Sequence, residues 1–185
     1  MRVSQVYTAA PSEERCAVEM ETFALLDRLG IPYTWVAHDM ANTIEDCAAV
    51  DAALGISICK NLFLCNRQKT AFYLLMMPGH KNLRTKELSA QIPTSRLSFA
   101  SGEDMAKYLN VLPGSATVMG LMNDTENHVQ LLVDEEIFKD EYVGCHPCVN
   151  TSSLKIRTED VFGKFLDAVH HDYITVTLSD NSPQS

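Results

Sequence analysis

Lys60 stands at the mouth of the apolar run Asn61-Leu62-Phe63-Leu64. An apolar strand headed by one cation either lets that lysine snorkel to water or places it beside the pocket that the sheet floors. A second chemically suggestive stretch is Leu112-Pro113-Gly114-Ser115. Proline fixes one dihedral there and glycine permits a positive φ, so the amides that follow can face one ligand. A third is Cys145-His146-Pro147-Cys148, a C-x-x-C with a histidine inside it. A redox pair needs a helix N-terminus to lower a thiol pKa. The flanks Tyr142-Val143-Gly144 and Val149-Asn150-Thr151 open no clear helix. A structural zinc site needs two more soft ligands, and no second C-x-x-C exists. Cysteines packed as small apolar residues are the preferred reading.

These residues need elements to hold them. The pattern predicts a helix from Ser12 to Leu29, capped by Ser12, carrying Glu13 and Glu14 in its first turn and stopped at Gly30. A strand from Tyr33 to Ala37 follows, then a helix from Ile44 to Leu54 capped by Asn42-Thr43 and ended by Gly55. Lys60 then opens a hairpin whose turn is Asn66 to Lys69 and whose second strand runs from Thr70 to Met77. Short helices are expected over Thr85–Gln91 and Glu103–Leu109, with Arg96–Phe99 as a short strand between them. Ala116 to Met122 is an apolar run. Val129–Val133, Val143–His146 and Ser153–Ile156 read as strands. Thr158 is expected to cap a helix reaching His170, with Phe162, Phe165 and Leu166 inward, before a last strand from Tyr173 to Leu178. Helices and strands mix without strict βαβ alternation. The expected fold is α/β of the α+β type, a central mixed, largely antiparallel sheet surrounded by helices. The 185 residues suit a single domain spanning 1–185, with 1–12 and 179–185 flexible.

Composition narrows the function classes. No apolar run is long enough to span a bilayer and the first residues lack the apolar core of a signal peptide, so a cytoplasmic setting and no membrane partner are expected. The net charge of −9 argues against general nucleic-acid binding, and no DNA partner is expected. The charge is nevertheless uneven. Lys60, Arg67, Lys69, Lys81, Arg84, Lys86 and Arg96 share a stretch with one acid, Glu87, giving it +6. A basic segment on an acidic body either is a solvated face or steers a polyanion to one side.

Three separated motifs, in order, resemble the YbaK/ProX aminoacyl-tRNA editing family. They are Lys60-Asn61-Leu62-Phe63-Leu64, Pro113-Gly114-Ser115-Ala116-Thr117 with Gly120-Leu121 and Asn123-Asp124, and Gly144-Cys145-His146-Pro147 with Asn150-Thr151. The likeness is greatest to the stand-alone prolyl-tRNA editing branch, itself similar to the insertion domain of bacterial prolyl-tRNA synthetase, and runs from about Phe23 to Leu178. The resemblance implies hydrolysis of alanine mischarged onto proline tRNA, with no metal and no cofactor. It implies Lys60 as the essential lysine with Asn61 beside it, Gly114 and Ser115 as the family's Gly-Ser loop, and His146, Pro147 and Asn150 as its His-Pro and following asparagine. Cys148 departs from the aliphatic residue expected there.

Under that resemblance Lys60, a cation at neutral pH, would serve as electrophile or anchor. Amides at Gly114-Ser115 would receive the oxyanion, and His146 or Asn150 would order the water or the ribose hydroxyls. Asn61, Leu62, Met119, Pro147 and Asn150 would contact the substrate. Arg67, Lys69, Lys81, Arg84 and Lys86 would contact tRNA. Mischarged tRNA is the expected partner, with prolyl-tRNA synthetase as a second. The rival readings are a relative editing another mischarged tRNA, such as one bearing cysteine or serine, a non-catalytic tRNA- or synthetase-binding module, and a thiol oxidoreductase using Cys145 and Cys148.

Overall fold

The computed structural model describes residues 1–180. It holds two sheets rather than one. The larger joins β2 (Lys60–Asn66) to β3 (Phe72–Met77) as the expected hairpin, with β4 (Leu97–Phe99) antiparallel on the outer edge of β2. On the other side, β5 (Val129–Asp134) and β8 (Tyr173–Val176) add in parallel. The smaller sheet is antiparallel, with β7 (Ser152–Arg157) between β1 (Tyr33–Ala37) and β6 (Tyr142–Cys145). Four of the six strand pairings are antiparallel, so the expected mixed, largely antiparallel character holds.

Both faces of the hairpin are buried, which is why its strands read as continuous apolar runs. Phe63, Cys65, Phe72, Leu74 and Met76 face the main core, with Trp35, Leu154 and Ile156 of the smaller sheet and Phe23 and Leu26 of α1 (Ala17–Arg28). Leu64, Leu75 and Met77 point the other way, onto Leu88 of α3 (Thr85–Ser89) and onto Leu97, Val176 and Leu178. The two sheets meet at a seam, where Ile58 bridges Gly144 and the Cys59 amide donates to the Gly144 carbonyl at 3.3 Å. A Cβ on residue 144 would lie 2.6 Å from Ile56 Cδ1 and 3.2 Å from Ile58 Cα, so only glycine lets the strands approach this closely.

The first helix begins at Ala17, not Ser12, because the residues before it have another task. Val3 and Tyr7 bridge His38 and Trp35 along the open side of β1, and the Trp35 indole donates to the Ala9 carbonyl at 2.8 Å. The expected loose N-terminus is thus a cover for an edge strand. Ser179 is likewise held, its amide and hydroxyl both donating to Glu87; residues 181–185 of the expected flexible tail lie outside the described residues. α2 (Ile44–Leu54) follows expectation, with a capping box between Thr43 and Asp46 and a left-handed Gly55 at its end. α4 (Gly102–Leu109) is capped by Ser101.

The apolar run after the Pro-Gly bend winds into a 3₁₀ helix (Val118–Asn123), and a second, unanticipated one (Glu135–Lys139) follows β5. The last helix starts as α5 (Thr158–Asp160), passes through a π-turn (Val161–Phe165) and ends as α6 (Leu166–Ala168). Thr158 does not cap it, since its hydroxyl donates to the Asp140 carbonyl. Phe165 and Leu166 are buried, while Phe162 sits half-exposed against Phe138 and Tyr173.

Candidate active site

β4 covers Leu64 to Asn66 of β2 and the Ala100 amide donates to the Phe63 carbonyl at 3.0 Å, so the strand's edge from Lys60 to Leu62 is left open. A cleft of about 780 Å³ lies along it, walled by α2 on one side and by the Pro113-Gly114 bend on the other. Lys60, Asn61, Leu62, Gly114 and His146, drawn from three distant motifs, all line this one cleft. Cys59, Phe63, Met105 and Cys145, buried against the core, form its floor.

Alternation along β2 turns Lys60 and Asn61 to opposite faces. The Lys60 ammonium donates to the backbone carbonyl of Lys81 and forms no ion pair among the described residues. A neutral acceptor leaves the charge uncompensated and two of the three ammonium hydrogens available to a ligand. The Asn61 side chain ties the strand to the 3₁₀ helix, accepting from the Val118 amide at 2.9 Å. Thr117 then continues the link, its hydroxyl donating to the His146 carbonyl at 2.7 Å.

The bend itself is built on Gly114, at φ +88°, where a side chain would be strained and would press on the Asn150 amide. Ser115 is buried, and its amide is consumed within the turn by the Leu112 carbonyl at 3.0 Å. It is therefore not free to receive an oxyanion, contrary to the expectation from sequence. The amides of Gly114 and Ala116, both on the cleft wall, have no acceptor among the described residues.

His146 is set by what lies behind it. Its Nδ1–H donates to the Ser152 carbonyl at 2.9 Å, with Ser153 Oγ at 3.4 Å from the same nitrogen. Because a carbonyl only accepts, Nδ1 carries the proton and Nε2 is a bare acceptor. The Ser153 hydroxyl in turn meets His38 Nε2 at 2.9 Å, while His38 Nδ1 donates to the Asp39 carbonyl. Burial pushes the His146 imidazole below the ordinary histidine value, and the nearby His38 ring adds to this against the opposing Ser152 bond. A neutral imidazole with one fixed N–H and one open lone pair can orient a water or accept its proton.

Other expected contacts are relocated. Met119 is sealed in the main core, so it cannot shape the cleft; its place is taken by the floor residues. Pro147 is buried beside His146, and Asn150 supports the bend rather than the cleft wall. Lys81 is not a surface cation. It is 4% exposed and its ammonium meets Asp134 at 2.9 Å, Glu136 at 2.8 Å and the Leu178 carbonyl at 2.8 Å. A lysine so enclosed cannot reach a phosphate. Arg67, Lys69, Arg84 and Lys86 are exposed. Arg67 and Lys69 sit on the hairpin turn, about 20 Å from Lys60 along β2.

The cysteine pair takes no part as a redox site. Cys145 and Cys148 are both buried and unbridged, and burial pushes the Cys148 thiol up to about 12 and Cys145 upward as well. Thiolate chemistry requires the opposite shift. His38, Ser153 and Asp51 were not apparent from sequence. Asp51, on the α2 wall, accepts from the Ile58 amide at 3.0 Å, and its burial pushes its carboxyl up.

Residues 38–163 match the family described as the aminoacyl-tRNA editing domain. The chain is 32% identical over 138 residues to "Prolyl-tRNA editing protein ProX" of Acetoanaerobium sticklandii, covering 75% of this chain and 84% of that one. It is 29% identical over 178 residues to "Prolyl-tRNA synthetase associated domain-containing protein 1" of Danio rerio, covering 95% of each. A crystal structure described as a candidate trans-editing enzyme for prolyl tRNA synthetase superposes with a TM-score of 0.66 at 13% identity, over 90% of this chain and all of the other.

Proposed function

Because the chain belongs to the aminoacyl-tRNA editing family, we propose that it hydrolyses the ester of mischarged tRNA in trans, with alanine on proline tRNA as its substrate. The observation that carries this reading is the single cleft shared by Lys60, Gly114 and His146. In it, the ester carbonyl lies between the Lys60 ammonium and the Gly114 and Ala116 amides, so the charge that develops on oxygen meets donors already in place. His146 Nε2 holds the attacking water. The hydroxyl adjoining the ester on the terminal ribose, close to the same nitrogen, assists the attack.

The need for such an activity follows from binding energies. One methylene in an apolar pocket is worth only about 1–3 kcal/mol, so a proline site cannot firmly exclude alanine. A second site that admits the smaller residue and rejects the larger removes the error. In this reading the methyl group rests on the floor of Cys59, Phe63, Met105 and Cys145, and size selection against the ring of proline is assigned to the same floor. Arg84 and Lys86 serve the tRNA backbone, with Arg67 and Lys69 reaching further along it. Among the described residues no helix is long and apolar enough to cross a membrane, and a cytoplasmic site of action beside prolyl-tRNA synthetase follows from the substrate.

A panel of tRNAs charged with alanine, cysteine, serine and proline tests the reading. Release of alanine from proline tRNA should exceed that of proline by well over tenfold. Equal release of both defeats the size argument, and release of none defeats the activity. The role of His146 has its own test in the pH dependence of kcat/KM. Nε2 must be unprotonated, so activity falls as pH drops through the pKa of the imidazole. Burial holds that pKa below its ordinary value, so the acid limb is expected below pH about 6.5, with a plateau through neutrality. His146→Ala should abolish the limb; a limb that persists in that variant assigns it to another group.

A further inference from the structure

One side chain at the cleft mouth is accounted for neither by the fold nor by the hydrolysis. Phe99, the last residue of β4, is 64% exposed, the most open aromatic ring among the described residues. It belongs to no core cluster, yet it lines the cleft. In register Phe99 lies opposite Leu64, and directly opposed residues share a face. Lys60, Leu62 and Phe99 therefore stand on one face of the sheet, the backbone at Phe99 about 13 Å from that at Lys60 along the strand direction. The other side of the mouth is Pro113, which packs so closely on Gly102 that a Cβ there would be 3.0 Å from its Cγ. The Phe99–Gly102 segment and the bend thus hold each other in place.

We infer that Phe99 is the stacking platform for the unpaired adenine at the 3′ end of the substrate tRNA, a role that rests on the deacylase reading above. The backbone spacing of the two positions, about 13 Å, is of the order of an ester, its ribose and the purine laid end to end from the ammonium. With the carbonyl at Lys60, the ribose lies over Leu62 and the base falls on the ring. Unpaired ends of RNA are recognised by aromatic stacking, and an exposed ring beside an uncompensated cation suits a base joined to a polyanion. Arg96, just before this short strand, and Ser98 on it are both exposed, which gives the ring polar neighbours along its own segment.

Steady-state deacylation of an alanyl minihelix by wild type, Phe99→Ala, Phe99→Leu and Phe99→Trp tests this. Stacking is worth about 5- to 160-fold per base, so KM should rise by a factor in that range in the alanine variant with kcat nearly unchanged. Tryptophan should restore it and leucine should not. Equal KM values in all four proteins overturn the inference while leaving the deacylase reading intact. Binding of adenosine monophosphate and of ribose 5-phosphate, followed by NMR titration, decides the matter without turnover. Loss of the nucleotide alone in Phe99→Ala supports stacking. Unchanged nucleotide binding, or equal loss of both ligands, refutes it.

Discussion

Lys60→Ala is expected to lower single-turnover deacylation of alanyl-tRNA by about 10²–10³-fold, the usual cost of removing one preorganised donor from a developing oxyanion. The substitution should leave the fold untouched, since the ammonium's one protein partner is the Lys81 carbonyl, which water can satisfy. Binding of uncharged tRNA should change little, because a transition-state contact is absent in the ground state. Lys60→Arg should recover little, as a planar fork does not reproduce a compact ammonium. A variant with turnover within threefold of wild type would remove Lys60 from the chemistry and leave a binding module.

The second large effect concerns Lys81. Lys81→Met strands the fully buried Asp134 carboxylate, and breaking a buried pair in this way costs about 3–5 kcal/mol. Urea unfolding should show the loss directly, and the double variant Lys81→Met/Asp134→Leu should regain much of it, because no charge is then left alone. A single variant that unfolds at the wild-type midpoint would contradict the burial of this pair. The pH dependence has a definite sign. Burial alone pushes Lys81 down, but hydrogen bonds and charge from Asp134 and Glu136 reverse this and hold it above the ordinary lysine range. Its contribution is therefore complete at neutrality and is lost only in strong alkali. The Lys81 hydrogen bond holds Glu136 below the ordinary carboxylate value. That contribution is present above pH about 4.3 and fades as acid protonates Glu136.

Local features carried their message plainly in the sequence. The Lys60 hairpin, the Thr43 cap, the Gly55 stop and the Gly114 bend each depend on neighbours a few residues away, and each forms where expected. What was hidden depends on distant partners. Ser12 offers a good cap, but Trp35 recruits the preceding residues as a strand cover. Lys81 reads as one more cation in a basic run until Asp134, fifty-three residues on, encloses it. Met119 reads as a cleft residue but lands between the sheets. Motif order brought Lys60, Gly114 and His146 into one reading, whereas His38 and Ser153 behind the imidazole carry no spacing signal, since only the β1–β7 pairing makes them neighbours.

The Lys81 ammonium takes its carboxylates from the end of β5 and the 3₁₀ helix that follows it, but its third acceptor from Leu178, ninety-seven residues downstream. The loop that offers its carbonyl to Lys60 is thus fastened from the far end of the chain. On a translating ribosome the hairpin, the bend and the imidazole all emerge before that fastening exists. The nascent chain holds the parts of the cleft with that brace short of its third acceptor, which arrives with the residues just after β8.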